Sequence, residues 1–168
     1  MDLGSARMVR ISFATEDTER GELLHVIHVQ PVAEAPSLTA LQLAVGDGNI
    51  ETLARWDRAQ YGERGVLDIF CNENGLMFDF PVACHFIHEP FPLPHRPSFI
   101  PLTLPIVCSI SNPSTGDDME GPDGIIVPDD ITEVVFRRII KPHLTEPFDS
   151  VVFHKLEDTM EDAVANIP

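Results

Sequence analysis

Apolar and polar residues alternate with a period of two along several stretches of the chain, the footprint of half-buried β-strands. In residues 7–14, Val9, Ile11 and Phe13 alternate with Met8, Arg10 and Ser12. Residues 23–30, LLHVIHVQ, predict a second strand, which Pro31 should end because it has no N–H to give a ladder. Residues 48–56 predict another, with Ile50, Thr52, Ala54 and Trp56 on one face. The most strongly patterned stretch is 66–80, VLDIFCNENGLMFDF. Two apolar runs flank Asn74-Gly75 there, and both residues tolerate the positive φ of a tight turn. The pattern therefore predicts a hairpin over residues 67–80 at the centre of the sheet.

Elsewhere the period lengthens to that of a helix. Ser37 occupies a cap position before Leu38, Leu41, Gln42 and Val45, and Gly46 follows as a stop. Asp130-Ile131-Thr132-Glu133 resembles a capping box and predicts a helix over 130–140, halted by Pro142. Val152, Leu156, Met160, Val164 and Ile167 predict an amphipathic helix over 148–167. Between 81 and 105 seven prolines predict an irregular, extended crossing segment. Residues 106–111 (IVCSIS) predict a strand, 112–124 a Gly/Asp loop and 125–127 a short strand. The expected fold class is α+β, a mixed and largely antiparallel sheet around the central hairpin with two or three helices. Residues 1–141 are read as a single domain, and 142–168 as an acidic helical extension.

Composition narrows the function. The chain has 168 residues, 43% of them hydrophobic, which suffices for a real core. No run approaches the length of a membrane span and no secretory leader is apparent, so a cytoplasmic location is expected. Cys71, Cys84 and Cys108 are widely and irregularly spaced, which suits buried thiols in a reducing compartment. The net charge of −16 argues against direct nucleic-acid binding and favours a basic protein partner.

The order of elements carries a resemblance. A strand of the HVIHVQP kind leads through a short helix to Ala44-Val45-Gly46-Asp47-Gly48-Asn49-Ile50-Glu51. An apolar strand then ends in Cys71-Asn72-Glu73-Asn74-Gly75, and Leu104-Pro105-Ile106-Val107 precedes a Gly/Asp loop. Over roughly residues 24–140 this resembles an uncharacterised family of small proteins of bacteriophages, plasmids and their hosts, a domain of unknown function. The resemblance implies a small α+β fold and a mobile-element origin, and no catalytic residues.

Candidate chemistry is sparse. Cys84, His85, His88 and His95 are zinc-type ligands at short spacing, without the second Cys pair of a zinc motif. Asp117, Asp118, Glu120 and Asp123 lack the spacing of an EF-hand loop. His25 and His28 should face opposite sides of their strand. No nucleophile elbow, Walker loop or dinucleotide fingerprint occurs, so the reading leans away from an enzyme and assigns no cofactor. Arg55, Arg58 and Arg64, with Trp56 and Tyr61, form a basic and aromatic cluster suited to phosphates, and Phe70 and Phe78 could line the same pocket. Asn72 and Glu73 would stand at its rim or set the turn. On the terminal helix Glu157, Asp158, Glu161 and Asp162 would form two carboxylate columns, an acidic face for a partner.

These features support a non-enzymatic phage- or plasmid-encoded accessory protein that binds a host factor, and self-association stays open. A host-defence inhibitor using its acidic surface as a nucleic-acid mimic is one specific form. Sequestration of a nucleotide signal and a metal-dependent enzyme are the alternatives.

Overall fold

The computed structural model describes residues 6–46, 48–56, 66–80, 82–88, 98–111, 120–121, 124–125 and 148–166. In chain order these form β1 (Met8–Asp17), β2 (Leu23–Val32), α1 (Leu38–Ala44), β3 (Ile50–Trp56), β4 (Val66–Asn72), β5 (Val82–His88), β6 (Ser98–Thr103), β7 (Ile106–Ser111), β8 (Glu120–Gly121), β9 (Gly124–Ile125), β10 (Ser150–Phe153) and α2 (Met160–Asn166). The main sheet has six strands in the order β10-β2-β1-β7-β4-β3. Within this sheet the β10–β2 pairing is parallel and the other strand pairings are antiparallel. With two helices among the described residues, the fold is α+β with a mixed, largely antiparallel sheet.

Among the described residues the longest hairpin is β1–β2, paired from Met8↔Val32 to Asp17↔Leu23. Its turn is closed by Thr18, whose N–H bonds Glu22 O at 2.9 Å, and by Gly21 at φ 77°. β2 runs through Pro31 to Val32, beyond the expected stop. The reason is directional. The Pro31 carbonyl accepts from Glu157 N at 3.1 Å, so the missing N–H also falls on that side of the strand, away from β1. The β1 ladder loses nothing.

The hairpin expected over residues 67–80 does not form. β4 pairs with β3 and β7, and the chain after Asn72 coils into one helical turn. Asn72 Oδ1 accepts from Asn74 N at 2.9 Å, which caps the turn. Phe78 N then bonds Asn74 O at 3.0 Å, Asp79 N bonds Leu76 O and Phe80 N bonds Gly75 O at 2.9 Å. The last two bonds, with Asp79 at φ 56°, are a Schellman closure. Glycine at 75 serves another purpose: an added Cβ would collide with the Thr103 side chain.

Two further expectations are corrected. The proline-rich stretch contains a hairpin, β5–β6, with Pro101 opposite His85. Prolines hold their predecessors extended, and a two-stranded sheet has only edge strands, where a missing N–H is tolerated. The helix expected over 148–167 begins with a four-residue strand instead: β10 joins the open edge of β2, and α2 begins only at Met160. Val151, Val152 and Phe153 have β-forming side chains, and Thr159 caps the helix through its Oγ1 to Asp162 N at 3.1 Å. Residues 150–166 therefore complete the main sheet and its core. The predicted helix over 130–140 lies outside the described residues; of the expected strand at 125–127, Ile125 lies on β9, paired with β8, and residues 126–127 lie outside the described residues.

α1 follows the sequence reading. Ser37 Oγ accepts from Ala40 N at 3.1 Å, and Gly46 follows the C-cap at φ 89°. Ala40, Leu41, Ala44 and Val45 pack with Met8, Val32, Val107, Met160 and Ala163, so both helices lie on one face of the sheet. The opposite face is apolar across its width, with Val29, Ile11 and Ile106 aligned in one row and Val9, Cys108 and Ile69 in the next.

Candidate functional site

The helix-bearing face of the sheet is unexpectedly polar. Arg10, Ser12, His28, Gln30, Asp68 and Ser109 are all buried, although strand alternation alone marks Arg10 and Ser12 as solvent-facing. Arg10 Nε donates to the Ala44 carbonyl at 2.8 Å, placing a cation on the C-terminal end of α1, where the helix dipole favours it. Its NH1 lies 3.5 Å from Gln30 Oε1. Burial lowers the Arg10 pKa to about 10, and no carboxylate among the described residues pairs with it.

Beside Arg10 lies a group that the sequence did not announce. His28 Nδ1 faces His154 Nε2 at 2.7 Å, and Glu16 Oε1 stands 3.4 Å from His28 Nε2. Burial holds the His154 pKa below its ordinary value, His28 lowers it further and Glu157 opposes both. The sequence pattern places position 154 on a helix, and 126 residues separate the two imidazoles. Only the parallel docking of β10 brings them together. Ser12, opposite His28 on β1, has a buried Oγ with no partner among the described residues. Both His28 nitrogens are engaged elsewhere, so among the described residues no base reaches this hydroxyl. His25 stacks on Phe13 with ring centroids 5.4 Å apart, apart from His28 as strand parity requires. No cluster of three metal-ligating side chains occurs among the described residues.

The sequence candidates are dispersed. Asn72 is buried and structural: Nδ2 donates to Val45 O at 3.1 Å while Oδ1 caps the next turn. Glu73 is exposed beside it. Phe70 packs against the core, whereas Phe78 is exposed. Arg55 and Trp56 lie on β3; Arg58, Tyr61 and Arg64 lie outside the described residues. Cys84, His85 and His88 lie on β5 rather than in a loop, and His95 lies outside the described residues. Of the acidic-loop residues only Glu120 is described, on β8. Cys71 and Cys108 are buried free thiols. Burial, reinforced by Glu51, raises the Cys71 pKa to about 12; burial and then Asp68 raise that of Cys108. Neither is a ready nucleophile.

The two expected carboxylate columns are not built. Glu157 and Asp158 precede α2, and Glu157 Oε1 accepts from Asn166 Nδ2 at 2.9 Å. Glu161 and Asp162 stand exposed in the first helical turn, where the helix dipole favours carboxylates.

The turn after β4 carries the surface feature that sequence reading missed. Leu76, Met77 and Phe78 are 57%, 79% and 54% exposed, bracketed by the exposed carboxylates of Glu73 and Asp79. The sequence pattern places residues 76–80 on the second strand of the expected hairpin, with Met77 and Asp79 on the face opposite Leu76 and Phe78. A helical turn capped at both ends turns Leu76, Met77 and Phe78 outward. No helix among the described residues is long and apolar enough to cross a membrane. Comparison with known proteins returns no match: no family model, no curated protein and no solved structure matches the chain.

Proposed function

We propose that the chain is a non-enzymatic accessory protein, of the kind carried by phages and plasmids, that binds a basic host protein. The observation that carries this reading is the exposed Leu76-Met77-Phe78 turn between Glu73 and Asp79. Folded monomers seldom present three consecutive large apolar residues, and such a patch rimmed by polar groups marks protein–protein contact. Apolar anchors supply the area buried at the centre of an interface, while rim charges set encounter rate and partner choice. With a net charge of −16, the complementary surface is basic with an apolar pocket. Nucleic-acid mimicry is a narrower form of the same proposal.

A photo-crosslinking residue at Met77, with an identical one at the exposed Leu38 as control, tests it in cells of the natural host. The expected outcome is a discrete adduct from position 77 alone, with a basic protein, weakened by added salt and by neutralising Glu73 and Asp79. Adducts equal from both positions, or none from position 77, would overturn the proposal.

A further inference from the structure

His154 lies immediately after β10, and its N–H bonds Val29 O at 2.9 Å. At 2.7 Å the facing nitrogens of His28 and His154 have room for one proton, held by one ring and accepted by the other. Among the described residues the charged groups around them come from β1, which carries Arg10 on the same face as Glu16, and from the segment leading to α2. Glu16 of β1 faces the second nitrogen of His28, and the segment leading to α2 brings Glu157 to His154, with Lys155 exposed alongside. Ser12 and Val152, aligned with His28 on β1 and β10, are uncharged. One extra proton is therefore accommodated: an imidazolium at His28 gives one N–H to Glu16 and the other to His154. A second proton places an N–H on each facing nitrogen, and the hydrogen bond becomes a repulsion between two cations.

We propose that His28 and His154 form a proton-operated clasp that holds residues 150–157 along the edge of β2 and releases them on acidification. Apart from the imidazole pair, the segment is held to β2 by backbone bonds, among them His154 N to Val29 O at 2.9 Å, Glu157 N to Pro31 O at 3.1 Å and Ala33 N to Glu157 O at 2.8 Å. β10 is four residues long, and Phe153 is 57% exposed. Between its pairing with β2 and the Val32↔Glu157 bridge, Pro31 supplies no N–H. Met160 and Ala163 anchor α2 separately in the core, so the release is local. The sign follows from His154. A histidine held below its ordinary value in the folded protein binds its proton more readily once released, so its stabilisation is complete above about pH 6.5 and is lost as pH falls through the folded value. Release uncovers the backbone donors and acceptors of β2, a template on which another extended strand can add.

Amide hydrogen exchange by NMR at about pH 7.5 and about pH 5.5, corrected for intrinsic rates, tests the clasp while most carboxylates remain charged. The amides of Asp149, His154 and Glu157 report the segment, and those shared by β1 and β7 report the body. The expected result is a loss of protection of about tenfold or more at the three reporters, with the body unchanged. Imidazole nitrogen shifts of His154 should titrate with the same midpoint, and His154→Gln should abolish the pH dependence. Unchanged protection, a loss shared by the body, a midpoint in the carboxylate range, or the same loss in His154→Gln would each overturn the proposal.

Discussion

α1 and the turn after β4 are built alike and used oppositely. Each begins at a side-chain cap, Ser37 or Asn72, and each ends at a left-handed residue, Gly46 or Asp79. They also meet, because Asn72 caps the turn with its Oδ1 and bonds the carbonyl of Val45 with its Nδ2. A Cβ at Gly46 would come within 3.0 Å of the Phe80 ring, so the two stops are packed together. Yet α1 turns Ala40, Leu41 and Ala44 into the core, while the turn presents Leu76, Met77 and Phe78 to solvent. Capping determines where a helical turn forms. Which way its apolar residues face depends on whether a second layer lies over it, and α1 has the sheet and α2 where the turn is open to solvent.

The sharpest way to break this comparison is to remove one apolar side chain from each element. Leu41→Ala deletes a core contact and should lower stability by about 2–5 kcal/mol in urea denaturation. A smaller effect separates the helical turn from a tight hairpin turn at the same glycine. Gly75→Ala should cost about 1–3 kcal/mol because the new methyl meets Thr103. Thr103→Ala should recover part of that loss, so a double-mutant cycle gives less than the sum of the single changes. A glycine needed for positive φ would show no such coupling. Smallest of all, Met77→Ser should leave stability within about 0.5 kcal/mol of the parent, since the side chain is exposed. A large loss there would mean that the turn belongs to the core after all.

Local signals proved reliable wherever a segment answered only to itself. Ser37, Leu41 and Gly46 specify α1 completely, and residues 106–111 form β7 as their pattern requires. Asn74-Gly75 misled because the side chain before it, Asn72, offers the backbone a competing hydrogen bond. The period-four stripe at the C-terminus misled in another way. Val152 and Met160 both touch the molecule, one as a strand residue and one as a helix residue, and spacing cannot distinguish those roles. His28 and His154 left no trace at all, since no local pattern records a parallel pairing across 126 residues.

The sequence by itself determined the α+β class, most strand positions, α1 with both its ends, the burial of Cys71 and Cys108, and the acidity that any partner must accommodate. Those properties depend on side-chain type and short-range hydrogen bonding, which neighbouring residues carry. Tertiary structure alone decided that Arg10 and Ser12 are buried on a polar sheet face, that β10 docks parallel to β2, and that Leu76, Met77 and Phe78 face solvent. Each depends on what packs over a residue from a distant part of the chain, and alternation within a strand cannot reveal whether its second face is covered.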